Sequence, residues 1–222
     1  MLDIIEAESG PDPTATILIL HGLGADGNDF VPIAEELDLR QLGPVRFIFP
    51  HAPVMPVTIN NGYQMRAWYD ILGFDEDAVQ DEAGLRRSQQ LVEALLKREK
   101  ERGIPAHRIV LGGFSQGCAM SLLTGLRHAE RLAGIMGLSG YLPLPDKTAA
   151  ERSSASLRTP IFLAHGTHDE VIALERAEAT RDALQALGHE VEWHEYLMGH
   201  AVSPLEIQEL NAWLLRVLST GP

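Results

Sequence analysis

The sequence predicts an α/β fold, a mostly parallel central sheet with helices on both faces. Three observations carry this. Short β-rich runs alternate with longer segments of helical periodicity. Several of those runs are apolar without alternation, as strands covered on both faces are. The chain has 222 residues and 45% hydrophobic content, enough to cover such a sheet within one domain spanning 1–222.

In chain order, strands are expected at 16–20, 45–49, 109–111, 133–138, 161–164 and 191–196. A helix is expected over about 82–102, where Leu85, Val92, Leu95 and Leu96 share one face and Gly103 ends it. A second helix, 116–126, follows the third strand. Ser203-Pro204-Leu205-Glu206 has the form of a capping box with proline at the first helical position. It opens a last helix that turns Ile207, Leu210, Leu214, Val217 and Leu218 to the core. Two long connections stand out: 50–73, with Pro50, Pro53, Pro56, Trp68 and Tyr69, and 141–160, rich in Pro, Ser and Ala. Neither is long enough to be a lid domain.

Composition narrows the function. With 18 basic against 31 acidic residues the formal net charge is −13, which repels phosphate polymers and anionic lipid surfaces. Nucleic-acid binding and electrostatic membrane attachment are therefore disfavoured. The single cysteine, Cys118, has no internal disulfide partner and suits a reducing compartment. The start Met1-Leu2-Asp3-Ile4-Ile5-Glu6 lacks the basic and apolar regions of a signal peptide. No apolar run approaches the ~20 residues that span a bilayer. A cytoplasmic protein is expected.

In open parallel sheets the ligand crevice lies beyond the carboxyl ends of the strands. There the stretch Leu111-Gly112-Gly113-Phe114-Ser115-Gln116-Gly117-Cys118 contains G-x-S-x-G between a strand and a helix. This is the context of a nucleophile elbow, with Ser115 on a strained turn and the Gln116 N–H at a helix N-terminus. Ser139 also follows a strand but lacks the spacing and reads as a turn residue.

A serine needs a base. Of nine histidines, His189, His194 and His200 come late enough in the chain. His189 precedes the last strand and His194 lies inside it. His200 follows it and is the expected base. After 161–164 either Asp169 or Glu170 could supply the acid; Asp169 suits the shorter reach of the Gly-x-x-Asp turn, and Glu170 reads as solvated. His165 and His168 lack a second ligand pair for a metal, so none is expected. In His21-Gly22-Leu23-Gly24-Ala25-Asp26-Gly27 a glycine-rich loop ends the first strand. It can aim the Leu23 N–H, paired with that of Gln116, at a substrate oxygen. Neither the phosphate-loop lysine nor G-x-G-x-x-G is present, so a nucleotide site is not expected.

With these residues assembled, the chain resembles the phospholipase/carboxylesterase family that includes acyl-protein thioesterases, within the α/β-hydrolases. The similarity runs over about 16–218 and includes "PHAPVMPVTINNGYQMRAWYD" (50–70), 165–172 and Gly199-His200. Cys118 departs from the family's usual glycine, Ala173 from a common proline and Tyr69 from phenylalanine. The resemblance implies an α/β-hydrolase fold and serine hydrolysis of esters or thioesters without cofactor or metal. It carries over Ser115, Asp169 and His200 as the triad, with Leu23 and Gln116 as oxyanion donors. Ile71, Leu72 and Val171 are expected to meet the substrate. Ile71, Leu72 and Phe74 are read as lining either an acyl groove or a homodimer contact. The expected activity is that of a serine carboxylesterase acting on short-to-medium acyl esters. An acyl-protein thioesterase or lysophospholipase on the same site is the first alternative, and a non-catalytic ligand-binding homologue the second.

Overall fold

A seven-stranded sheet carries the molecule, a computed structural model in which residues 2–73 and 78–219 are described. Phe74 lies outside the described residues. Strand β1 (Ile4–Glu8) leads to β2 (Ala15–Leu20), helix α1 (Val31–Glu36) and β3 (Val45–Pro50). A hairpin of β4 (Val54–Val57) and β5 (Tyr63–Arg66) precedes α2 (Glu82–Glu101). Then come β6 (Ile109–Phe114), α3 (Gln116–Arg127), β7 (Gly134–Leu138) and α4 (Pro145–Glu151). The chain closes with β8 (Ile161–Gly166), α5 (Leu174–Ala186), β9 (Val191–Tyr196) and α6 (Pro204–Ser219). The sheet order is β1-β3-β2-β6-β7-β8-β9. Only β1 is antiparallel to its neighbour.

Alternate residues of each buried strand serve opposite layers. Leu18 and Leu20 of β2 join Leu85, Leu96, Ala119 and Leu122 of α2 and α3. Ile17 and Ile19 join Ile33 of α1 and Leu210, Trp213 and Leu214 of α6. Each fully buried aliphatic side chain contributes about 1.5–3 kcal/mol, so the two layers together dominate stability. Helix α3 is buried from Gln116 to Leu126, because it packs on the middle of the sheet beneath α2. At the start of α6 the capping box forms as expected. Ser203 N–H donates to Glu206 Oε2 at 3.1 Å and Glu206 N–H donates to Ser203 Oγ at 3.2 Å.

The structure extends the sequence reading in several places. β1 is an edge strand of half-exposed residues, and its Glu8 receives the guanidinium of Arg46, which also reaches buried Glu99 at 2.8 Å. Its stability comes from that pairing, not from an apolar run. β6 runs on through Gly112, Gly113 and Phe114, since β2 and β7 continue to pair with them (Leu20 with Gly113, Phe114 with Leu138). Tertiary pairing overrides the low strand preference of glycine. The 50–73 connection contains the hairpin, and 141–160 contains α4. No helix among the described residues is long and apolar enough to cross a membrane.

Candidate active site

Ser115 sits where β6 passes into α3, with φ 57° and ψ −117°, a region that L-residues rarely adopt. Its N–H donates to the Leu138 carbonyl at 2.8 Å, which pins the turn to β7. The flanking glycines are required by close approach. A Cβ on Gly117 would collide with the Leu20 carbonyl oxygen, and one on Gly113 with the Gly117 backbone. The G-x-S-x-G spacing is thus a packing requirement around a forced backbone.

The segment after β9 brings His200 to the serine: Nε2 lies 2.9 Å from Ser115 Oγ. Its Nδ1 lies 2.7 Å from Asp169 Oδ2. The other carboxylate oxygen, Oδ1, accepts from the N–H groups of Val171 at 2.8 Å and Ile172 at 2.9 Å. With Oδ1 so occupied and the Asp169 side chain fully buried, Oδ2 is left to accept Nδ1–H. That fixes the tautomer: the lone pair on Nε2 faces the serine hydroxyl. Buried His165 braces the acid loop, with Nε2 2.9 Å from the Ile172 carbonyl and 3.4 Å from Asp169 Oδ2. Glu170 is exposed. His194 is held by Glu192 at 3.1 Å and Glu209 at 2.9 Å and stacks on Phe162. His189 is buried, and burial lowers its pKa below the ordinary histidine value. Ser139 ends β7 in a turn with φ 48°.

The loop after β2 is held from several sides. His21 Nδ1–H donates to the Gly22 carbonyl at 2.7 Å, and Nε2 accepts from Ala52 N–H at 2.9 Å. Burial lowers the His21 pKa, in keeping with a neutral ring that both donates and accepts. Trp68 Nε1–H donates to the His21 carbonyl at 2.9 Å, and Gly24 N–H to the Arg66 carbonyl at 2.8 Å. The Gln116 side chain ties the next wall, Nε2–H donating to the Tyr69 carbonyl at 2.8 Å. Leu23 N–H and Gln116 N–H donate to no other described residue. The bracing roles of His21, Trp68, His165 and the Gln116 amide were not read from sequence, where Trp68 stood out only as a loop residue and His165 only as a metal-ligand candidate. The one available signal was His21, whose two ring nitrogens both need partners once it ends a buried strand.

Two clefts meet at Ser115. One, of about 360 Å³, is lined by Leu23 and Gln116 and by the expected Ile71, Leu72 and Val171. Ile59, Val79, Ile172 and Tyr141 join them. The other, of about 630 Å³, is lined by Leu23, Val171 and His200 together with Phe30, Phe114 and Val202.

A serine on a forced strand-to-helix turn at the carboxyl end of a parallel sheet is the hallmark of the α/β-hydrolases, and this chain has that fold. Residues 3–218 match the phospholipase/carboxylesterase family, to which the chain belongs, a group of carboxylic ester hydrolases. It is 43% identical over 206 residues to acyl-protein thioesterase 1 of Yarrowia lipolytica, covering 90% of this chain and 91% of that one. Among solved structures, Arabidopsis thaliana SOBER1 superposes with a TM-score of 0.88 at 31% identity, covering 92% of this chain and 99% of that one. Zea mays acyl-protein thioesterase 2 gives 0.86 at 30%, covering 98% and 100%.

Proposed function

We propose that the chain hydrolyses acyl thioesters and esters of short-to-medium chain length through Ser115, His200 and Asp169. The observation that carries this reading is the hydrogen-bonded series Ser115–His200–Asp169 standing where two clefts meet. Ser115 Oγ attacks the acyl carbonyl carbon while its proton passes to His200 Nε2. The resulting oxyanion is received by the N–H groups of Leu23 and Gln116. Collapse breaks the bond to the leaving thiol or alcohol, which takes the proton from His200. Water then enters and gives a proton to His200 as its oxygen bonds to the acyl carbon; collapse breaks the bond to Ser115 Oγ, the acid leaves, and Oγ takes the proton back from His200.

The clefts support a placement for the two halves of the substrate. The leaving group must lie where His200 can protonate it, and His200 lines the Phe30–Phe114–Val202 cleft. The acyl chain then takes the Ile71–Leu72 cleft, whose walls meet both oxyanion donors. Each buried methylene contributes about 0.8 kcal/mol until that cleft is full, so selectivity rises over short chains and then levels. The relatives named acyl-protein thioesterase support a thioester over a simple oxygen ester.

The test is fluorophosphonate labelling, followed by kcat/KM for matched thioesters and oxygen esters of graded acyl length. Labelling at Ser115 with a plateau at medium length and a preference for thioesters is expected. An unlabelled serine or absent turnover would leave a binding protein. A kcat/KM that climbs through long acyl chains would mean a deeper channel than the one proposed.

A further inference from the structure

At the wall of the Ile71–Leu72 cleft a guanidinium lies on an aromatic ring with no carboxylate partner among the described residues. Arg176, in the first turn of α5, places its Cζ 3.4 Å from the centre of the Tyr141 ring. That ring is anchored, because the Tyr141 hydroxyl is 2.7 Å from the Tyr69 hydroxyl. Among the described residues the Arg176 side chain has no salt bridge and no hydrogen bond. Arg46, Arg102, Arg86 and Arg127 meet carboxylates of Glu99, Glu6 and Glu151, and Arg66, Arg108, Arg131 and Arg152 donate to backbone carbonyls. In a chain with 31 acidic and 18 basic residues, an unmatched guanidinium inside a cleft is an exception.

Stacking uses the flat face of the guanidinium and leaves the N–H donors in its plane free. Arg176 is the only Lys or Arg among the described residues lining the cleft that contains Ser115. It also borders a further hollow of about 220 Å³ with Pro145, Thr180 and Ala183, so it stands where the cleft continues away from the serine. Among the described residues two carboxylates line the cleft. Asp70 accepts from Thr58 N–H at 2.7 Å and from the Thr58 hydroxyl at 2.5 Å, and Glu170 is exposed to water that screens it. Among the described residues the cleft thus offers an anion one cationic partner, Arg176, although Glu175 also borders the adjoining hollow.

We infer that Arg176 is a specificity-determining residue that receives a carboxylate at the distal end of the acyl chain. The cleft then prefers ω-carboxyacyl esters and thioesters over alkyl chains of equal length, provided the chain is long enough to reach the guanidinium. This rests on the acyl placement proposed above. A neutral aliphatic wall would reward only methylenes. A fixed guanidinium adds a charge-assisted, bidentate contact that an alkyl terminus lacks.

The experiment measures kcat/KM for adipoyl and suberoyl thioesters of N-acetylcysteamine against the hexanoyl and octanoyl thioesters. It uses the full chain, Arg176→Leu, Arg176→Gln and Arg176→Lys, with melting curves for each. At the better length, the ratio of ω-carboxyacyl to alkyl activity should fall about tenfold or more in Arg176→Leu and Arg176→Gln, mostly through KM. Arg176→Lys should keep part of it, and added salt should lower it in the parent. An equal ratio in the parent and in both neutral variants, with alkyl thioesters still hydrolysed, overturns the inference and leaves the proposed activity standing. If the parent is labelled by fluorophosphonate but turns over neither series, the thioester reading fails and this inference with it. Should Arg176→Leu not fold, the same ratio in Arg176→Gln decides.

Discussion

Gln116 holds Trp68 directly: its side-chain oxygen accepts the Trp68 N–H at 2.7 Å. The residue that follows Ser115 therefore also fixes the start of the Ile71–Leu72 cleft wall. Gln116→Leu would leave Trp68 N–H and the Tyr69 carbonyl unpaired in a buried site, each worth about 1–3 kcal/mol. The expected outcome is a loss of roughly 2–4 kcal/mol in urea unfolding. Activity on octanoyl thioesters should fall more than on acetyl thioesters, since only the longer chain leans on that wall. Unchanged stability in Gln116→Leu would show that the two bonds are replaced by water without penalty.

Ser115→Ala should remove turnover by a factor on the order of a million while folding is retained. His200→Ala should abolish it comparably, whereas His194→Ala keeps most of it. The His194 ring is engaged with Glu192 and Glu209 on β9 and α6, away from the serine. Single-turnover kinetics and melting curves on the three variants separate these cases. Equal damage from His194→Ala at unchanged stability would refute the choice of base.

Cys118 should be inert in the folded protein. Burial pushes its thiol up to about 12, so almost no thiolate exists at neutral pH. Iodoacetamide should leave the native chain unmodified and alkylate it once urea has unfolded it. Cys118→Ala should cost at most about 1–2 kcal/mol and keep activity within about threefold. Rapid native alkylation, or loss of activity in Cys118→Ala with Ser115 still labelled, would give the thiol a role.

Glu206 makes stability depend on pH. Its side chain is buried, Oε1 has no partner among the described residues, and burial raises its pKa from 4.5 to about 7. The α6 N-terminus favours the charged form, but with Oε1 undonated the burial penalty wins. The folded state thus holds a proton that the unfolded state has released. Stability is full below the unfolded value of 4.5, falls as pH rises, and levels once pH has passed about 7. Glu206→Gln keeps an acceptor for Ser203 N–H and loses the penalty. It should match the parent near about pH 4.5 and exceed it by roughly 2–3 kcal/mol near about pH 8. Urea midpoints across that range test this. A constant gap between parent and variant would exclude titration of Glu206 as the cause.

What was legible in the sequence was whatever is local in the chain. The apolar strands announced themselves because both faces are covered, and Ser115 and His200 could be placed by their positions at strand ends. β1 was not legible, since Ile4 to Glu8 mixes acids with aliphatics and is fixed by β3 and Arg46. Helix α5 escaped for a related reason: it buries only Ala177, Thr180 and Leu184, too small a face to give a strong period. The braces of the site lie further still from local signals. His21 meets Ala52, Gln116 meets Trp68, and Arg176 meets Tyr141 only after the sheet has been assembled.

The forced backbone at Ser115 sets the proposed chemistry against the chain's own durability. A residue held at φ 57° and ψ −117° forgoes about 1–3 kcal/mol that a relaxed turn would keep. On the proposed mechanism, selection for heat resistance alone would therefore find an easy gain at Ser115, where glycine relieves the backbone and ends turnover together. A thermostable form that still works has to draw its improvement from elsewhere, such as the lone oxygen of Glu206 or the exposed edge at β1.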